Sequence, residues 1–261
     1  MMNAHKVTSQ ADLVKIVKRK RNNMPTNDHI VQAYDTQLAA LTSMISQMAG
    51  LAESQFEAAM TALENRDSDL AARTKTKDKI IDDLERDIEA LAISMIAKWQ
   101  PMANDLRYIV SGLKVSADIE RLGDYSKNMA KRTTALNQTD PIPMTRSILR
   151  MGKLVQTMMH DVFDAFLQMD TKKAIAVWEA DEEIDNLYTS IFRELLTYMM
   201  EDPRHITPCT HLLFIAKNME RMGDLSTNIA ETVYYLVEGH TLTEKRPKAD
   251  STTYTVLEPN Q

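Results

Sequence analysis

The chain has 261 residues, 44% of them hydrophobic and only 6% aromatic, with Gly 6, Pro 8, one cysteine and a net charge of −6. That length suits one or two domains with real cores. The composition favours helices over strands, and the negative charge argues against a nucleic-acid binder that uses its whole surface.

Cys209 has no second cysteine for an internal disulfide, and no stretch joins a basic start to a long apolar run and a cleavage site. A cytoplasmic protein is expected. Apolar runs such as Leu91 to Ala97 fall far short of the ~20 residues of a spanning helix.

Residues 1–27 form a basic arm, with Lys6, Lys15, Lys18, Arg19, Lys20 and Arg21 against Asp12. It is expected to be a solvated terminus. Between His29 and Asn65, Leu38, Leu41, Ile45, Met48, Ala52, Phe56, Ala59 and Leu63 return at helical spacing. Arg66-Asp67-Ser68 interrupts them, with Asp67 or Ser68 the expected N-cap of the next helix. That helix runs from Leu70 to Trp99 and ends at Gln100-Pro101, the proline being suited to the first turn of a third helix reaching Leu136.

Pro141-Ile-Pro143 is the expected linker. Beyond it the layout recurs: a helix over Thr145 to Gln168, a break at Asp170-Thr171, a helix over Ala174 to Met200, a break at Asp202-Pro203, and a helix from Pro208 to Glu238. The chain therefore reads as all-α, with two pseudo-symmetric three-helix bundles over 28–138 and 144–238 and a polar tail over 239–261.

The duplication is written in the letters. Asp118-Ile-Glu-Arg-Leu-Gly-Asp-Tyr-Ser-Lys-Asn-Met-Ala130 recurs as Asn218-Met-Glu-Arg-Met-Gly-Asp-Leu-Ser-Thr-Asn-Ile-Ala230. In each copy a Glu and an Asp stand four apart, Glu120 with Asp124 and Glu220 with Asp224, hence on one helix face. The stripe Val115, Ile119, Leu122 and Met129 points the other way, so the acids are expected to face outward.

The preceding helix of each half repeats the device in an Asp-x-x-Ile-Asp pattern, with Asp78 and Asp82, then Asp181 and Asp185. Each pair lies as far before a helix turn as its partner pair lies after it. Antiparallel helices then bring four carboxylates to one level in each half.

Such crowding is repulsive. A multivalent cation would relieve it, and oxygen-only ligands favour Mg, Mn, Ca or iron over a thiolate-type zinc site. The alternative is an acidic solvated face. Arg121 and Arg221 suit either an oxyanion or a neighbouring carboxylate, and Gly123 and Gly223 imply close approach of a neighbouring helix. His160, His205 and His211 form no Glu-x-x-His arrangement, and no glycine-rich phosphate loop is present.

Glu120-Arg-Leu-Gly-Asp124 and Glu220-Arg-Met-Gly-Asp224, each followed by Asn and Ala, closely resemble the PhoU family of phosphate transport regulators. So do Gln100-Pro101-Met-Ala-Asn-Asp105-Leu-Arg107 and His29-Ile-Val-Gln-Ala-Tyr-Asp35. The resemblance covers about residues 28 to 238. It implies a non-enzymatic cytoplasmic regulator, often a homodimer, that connects the ATPase subunit of a phosphate ABC transporter to a sensor histidine kinase and restrains the phosphate-starvation response. It gives no nucleic-acid role, and membrane association only through partners.

The resemblance also implies multinuclear or divalent metal, iron first, with Zn, Mn or Mg possible. The acidic motifs map onto Asp78, Asp82, Glu120, Asp124, Asp181, Asp185, Glu220 and Asp224. Two departures stand out: Leu225 where many members have histidine, and Asn218 where the first copy has Asp118. Two other readings remain, a carboxylate-bridged metalloenzyme of the ferritin-like type and a metal-free helical adaptor. The first normally needs Glu-x-x-His pairs pointing inward.

Overall fold

The computed structural model describes residues 28–142 and 145–243. The expectations for the basic arm 1–27, for Pro143 of the linker and for tail residues 244–261 lie outside the described residues. Among those described there are six α-helices and no strand: α1 Asp28–Asn65, α2 Ser68–Trp99, α3 Asn104–Leu136, α4 Thr145–Gln168, α5 Thr171–Glu201 and α6 Ile206–Glu238, with a 3₁₀ turn Pro203–His205 before α6. The longer helices span ~45–57 Å at 1.5 Å per residue.

The breaks have local causes. Asp67 caps α2, its carboxylate accepting from Leu70 N at 2.8 Å. Asp170 caps α5, accepting from Lys172 N at 2.9 Å and Lys173 N at 3.1 Å. Between α2 and α3, Gln100 takes a left-handed conformation and Ala103 a positive φ of 49°. α3 therefore starts at Asn104, and Pro101 sits in the connection instead of in the first turn as expected. Pro208 falls within the first turn of α6, where its missing N–H costs no intrahelical bond.

Within each half the three helices pack on one another, and across the halves α3 packs on α6 and α1 on α4. The α3–α6 crossing is antiparallel. Arg107 lies over Tyr235 at 5.6 Å, Arg221 over Tyr125 at 6.0 Å and Arg132 over Phe214 at 3.9 Å from the ring centroids. Tyr108 of the first half stacks on Phe166 of the second with centroids 6.0 Å apart. One hydrophobic cluster runs through both halves, from Tyr34 and Leu38 to Val233 and Leu236. The duplicated bundles thus share a core.

Candidate functional site: two acidic seams

In each half the expected acids line the seam between the second and third helices. α2 contributes Asp78 and Asp82, and α3 contributes Glu120 and Asp124; α5 contributes Asp181 and Asp185, and α6 contributes Glu220 and Asp224.

The glycines make this approach possible. A Cβ on Gly123 would stand 3.1 Å from Ile81 Cδ1 and 3.6 Å from Asp78 Oδ1. On Gly223 it would meet Asp181 Oδ1 at 3.0 Å and Ile184 Cγ2 at 3.4 Å. Each third helix is bare at the point where an aspartate of the second helix presses against it. The close approach read from the two glycines is thus a contact with both an isoleucine and an acid.

The expectation that the acids face outward needs correction. Asp78 is 4% exposed, Asp181 1%, Asp185 3% and Glu220 6%. Only Asp82, Glu120, Asp124 and Asp224 are partly open to solvent. An acid opposite a single apolar stripe would face solvent. α3 and α6 are instead covered from several sides, by both helices of their own half and by each other, so the border of that stripe is covered as well.

Burial and mutual repulsion change the acids' protonation. Glu120 is pushed up to about 7, first by burial and then by Asp124, Glu85, Asp82 and Asp78. Burial raises Asp82 as well, helped by Asp78 and Asp124, while Lys127 opposes the rise. Glu220 is raised by burial, with Lys217 acting against it. Elsewhere on α3, Asp118 is pushed up to about 6 by burial despite Arg121 and Lys114. Arg121 thus serves a neighbouring carboxylate, whereas Arg221 lies against Tyr125.

The cations of the two seams differ. In the first, Lys127 Nζ donates to Asp78 Oδ2 and, at 2.9 Å, to Asp124 Oδ1. Gln55 of α1 closes the inner side, its Nε2 donating at 3.1 Å both to Asp78 Oδ1 and to the Gly123 carbonyl. In the second seam Lys217 Nζ pairs with Glu220 Oε2 at 2.9 Å. The sequence reading missed Lys127 and Gln55. Lys127 was legible in principle, since a lysine three residues after Asp124 lies on the same face.

The donor set of each seam is oxygen, which hard divalent ions favour. As placed, however, no group of three or more Asp, Glu, His or Cys side chains among the described residues could hold one ion, and an ammonium occupies the first seam. The seams as they stand do not fit a formed metal centre. The histidines have other surroundings: His160 Nδ1 is 3.2 Å from Glu53 Oε1 on α1, burial and the nearby charge of Arg132 lower His211, and His205 and His240 pack on Tyr198 and Tyr234. No helix among the described residues is long and apolar enough to cross a membrane.

The PhoU domain model matches residues 45–133 and 148–233, once in each half. The phosphate-specific transport system accessory protein PhoU homolog of Caulobacter vibrioides is 50% identical over 224 residues, which cover 85% of this chain and 97% of that protein. Its counterpart in Rhizobium meliloti is 49% identical over 225 residues, covering 86% and 95%. The crystal structure of PhoU from Pseudomonas aeruginosa superposes with a TM-score of 0.77 at 36% identity, covering 79% of this chain and all 100% of that one. A repeat model that falls once on each three-helix half, together with half-identical relatives matched over nearly their whole length, makes this chain a member of the PhoU family.

Proposed function

We propose that this protein is an accessory regulator of a phosphate-specific transport system. In this reading it works in the cytoplasm, contacts the ATPase subunit of the phosphate ABC transporter and a sensor histidine kinase, and keeps the phosphate-starvation response silent while phosphate is plentiful. The observation that carries it is the match over 97% of a relative named as a phosphate-specific transport system accessory protein, a match that spans both Glu-Arg-x-Gly-Asp copies.

The mechanism is binding, with no bond made or broken in this chain. A rigid helical body that prefers one state of the transporter and one state of the kinase couples the two by differential affinity alone. Exposed apolar side chains at the α2–α3 end, Ile93, Met102, Leu106 and Val110, and at the α5–α6 end, Met200 and Ile206, offer surface for such contacts. Ile93 follows Glu85 and Glu89 at four-residue steps along α2, so on that face the apolar surface continues into a charged one. A homodimer is part of the same proposal.

A ferritin-like oxidase gains no support from the histidines: His160 pairs with Glu53 and Asp164, which are not seam acids. The adaptor reading gains support from Lys127, which already neutralises part of the first seam.

The test is complementation. Deleting the gene should derepress a phosphate-starvation reporter in phosphate-rich medium, and the wild-type chain should restore repression. The Glu120→Ala, Asp124→Ala double variant should restore it poorly and should co-purify less kinase or ATPase subunit. A deletion strain that still represses the reporter would overturn the regulatory reading. Full repression by the double variant would remove the first seam from the partner surface.

A further inference from the structure

Lys127 is the meeting point of polar groups from three helices. Its ammonium is ion-paired with Asp78 of α2 and Asp124 of α3. Asp78 in turn accepts from Gln55 of α1. Gln55 itself is buried, and its Oε1 has no hydrogen-bond partner among the described residues. Turning the amide over would set that oxygen against Asp78 Oδ1 and the Gly123 carbonyl, both acceptors, so it stays unsatisfied beside the seam.

The second half repeats the acids but not these two residues. Counting by the offsets that carry Asp124 to Asp224 and Asp78 to Asp181, Lys127 becomes Thr227 and Gln55 becomes Met158. Thr227 donates at 2.7 Å to the Asp224 carbonyl. Conversely, Lys217 of the second seam answers to Ala117 in the first. Identical acid pairs are thus served by cations from different positions.

We propose that Lys127 is the resident cation of the first seam. Its ammonium holds the position between Asp78 and Asp124 that a divalent ion would otherwise take, and the native first seam binds no such ion. Replacing Lys127 by threonine, the residue of the second copy, converts the seam into an oxygen site for a hard divalent cation.

Three physical arguments support this. A tethered ammonium competes at an effective concentration far above that of a free ion, so it wins the position in the native chain. Without it, Asp78 is a buried carboxylate with no counter-ion, facing Asp82, Glu120 and Asp124, an arrangement that strongly favours an incoming cation. The ligands left behind are carboxylate oxygens, with the unsatisfied Gln55 Oε1 nearby, and such a set suits Mn²⁺ or Mg²⁺.

The experiment uses the full chain as wild type, Lys127→Thr and Lys127→Gln, and each of these with Glu120→Gln and Asp124→Asn added. Each protein is equilibrated with Mn²⁺, freed of unbound ion, and assayed for bound manganese by mass spectrometry and for its thermal midpoint with and without Mn²⁺. The expected result is at least one additional Mn²⁺ per chain in the lysine variants, a larger Mn²⁺-induced rise in midpoint than in wild type, and loss of both when Glu120 and Asp124 are also changed. In the wild-type background, changing Glu120 and Asp124 should leave bound Mn²⁺ unaltered. No gain in either lysine variant overturns the proposal, and so does loss of Mn²⁺ from the otherwise wild-type chain. Lys127→Gln keeps a long hydrogen-bonding side chain and decides the matter should the threonine variant fail to fold. The outcome does not depend on transport partners, so the regulatory reading stands or falls separately.

Discussion

Glu120 shows how a single residue reports its seam. Its carboxyl is raised from an ordinary 4.5 to about 7 by burial and by Asp124, Glu85, Asp82 and Asp78. Between those two values the folded chain holds a proton that the unfolded chain has already released, so stability falls as pH rises through this window. Below it the group is neutral in both states and costs nothing; above it the full repulsion is present. Glu120→Gln should therefore match wild type in urea midpoint near pH 4, exceed it at pH 8, and flatten the slope between. Each kcal/mol regained is worth ~2–4 °C in thermal midpoint for a chain of this size. Equal slopes for the two proteins would show that the seam does not repel Glu120. The residue types and spacing of this seam were legible in the letters, because a carboxylate four residues from another must share its face. Its neutralisation was only half legible: Lys127 stands three residues after Asp124 on the same helix, but its pairing with Asp78 and the bond from Gln55 come from other helices, and no spacing rule within one helix gives those.

At the scale of elements, most helix ends were readable because the punctuation is local. Asp67 and Asp170 cap where a side-chain oxygen is needed, and Gly239, at φ 84°, ends α6 where a left-handed residue is needed. The α2–α3 connection was not readable. Its conformation rests on Gln100 at φ 45° and Ala103 at φ 49°, and nothing in the letters marks either as a left-handed position. With ψ at −112°, Ala103 holds a backbone geometry that a Cβ makes costly, of the order of 1–3 kcal/mol. Glycine removes that cost while adding ~0.5–1 kcal/mol of unfolded-chain entropy. Ala103→Gly should therefore stabilise the chain slightly and raise its thermal midpoint. A lower midpoint would mean that the connection relaxes in solution to a conformation alanine accepts. The direction of the acids was misread at this same scale. A helix packed on one neighbour has one covered arc, whereas α3 is covered by α1, α2 and α6, and Asp78, on the helix facing it, is buried in the resulting seam.

For the whole molecule, the duplication suggested two bundles, and the fold makes them one body. Arg107 of the first half lies over Tyr235 and donates to the Leu236 carbonyl at 3.5 Å, tying the start of α3 to the end of α6. His160 meets Glu53 across α1 and α4, and the hydrophobic cluster is continuous between halves. Repeat boundaries are visible in sequence because they follow chain order; a shared core is not, because its contacts join residues far apart in the chain, such as Tyr108 with Phe166 and Arg107 with Tyr235. The consequence is cooperative unfolding. The two tryptophans separate the halves cleanly: Trp99 donates to Gln37 Oε1 at 2.6 Å in the first, and Trp178 to Glu231 Oε1 at 3.1 Å in the second. Trp178→Phe leaves a reporter only in the first half, and Trp99→Phe only in the second. If the halves unfold as one unit, the loss of tryptophan signal should coincide with the loss of helix circular dichroism within each variant, and the two variants should agree with wild type once the small cost of each substitution is allowed for. A fluorescence transition that precedes the loss of helix in one variant and follows it in the other would instead establish two independent bundles, and the α3–α6 crossing would then be a contact between finished domains.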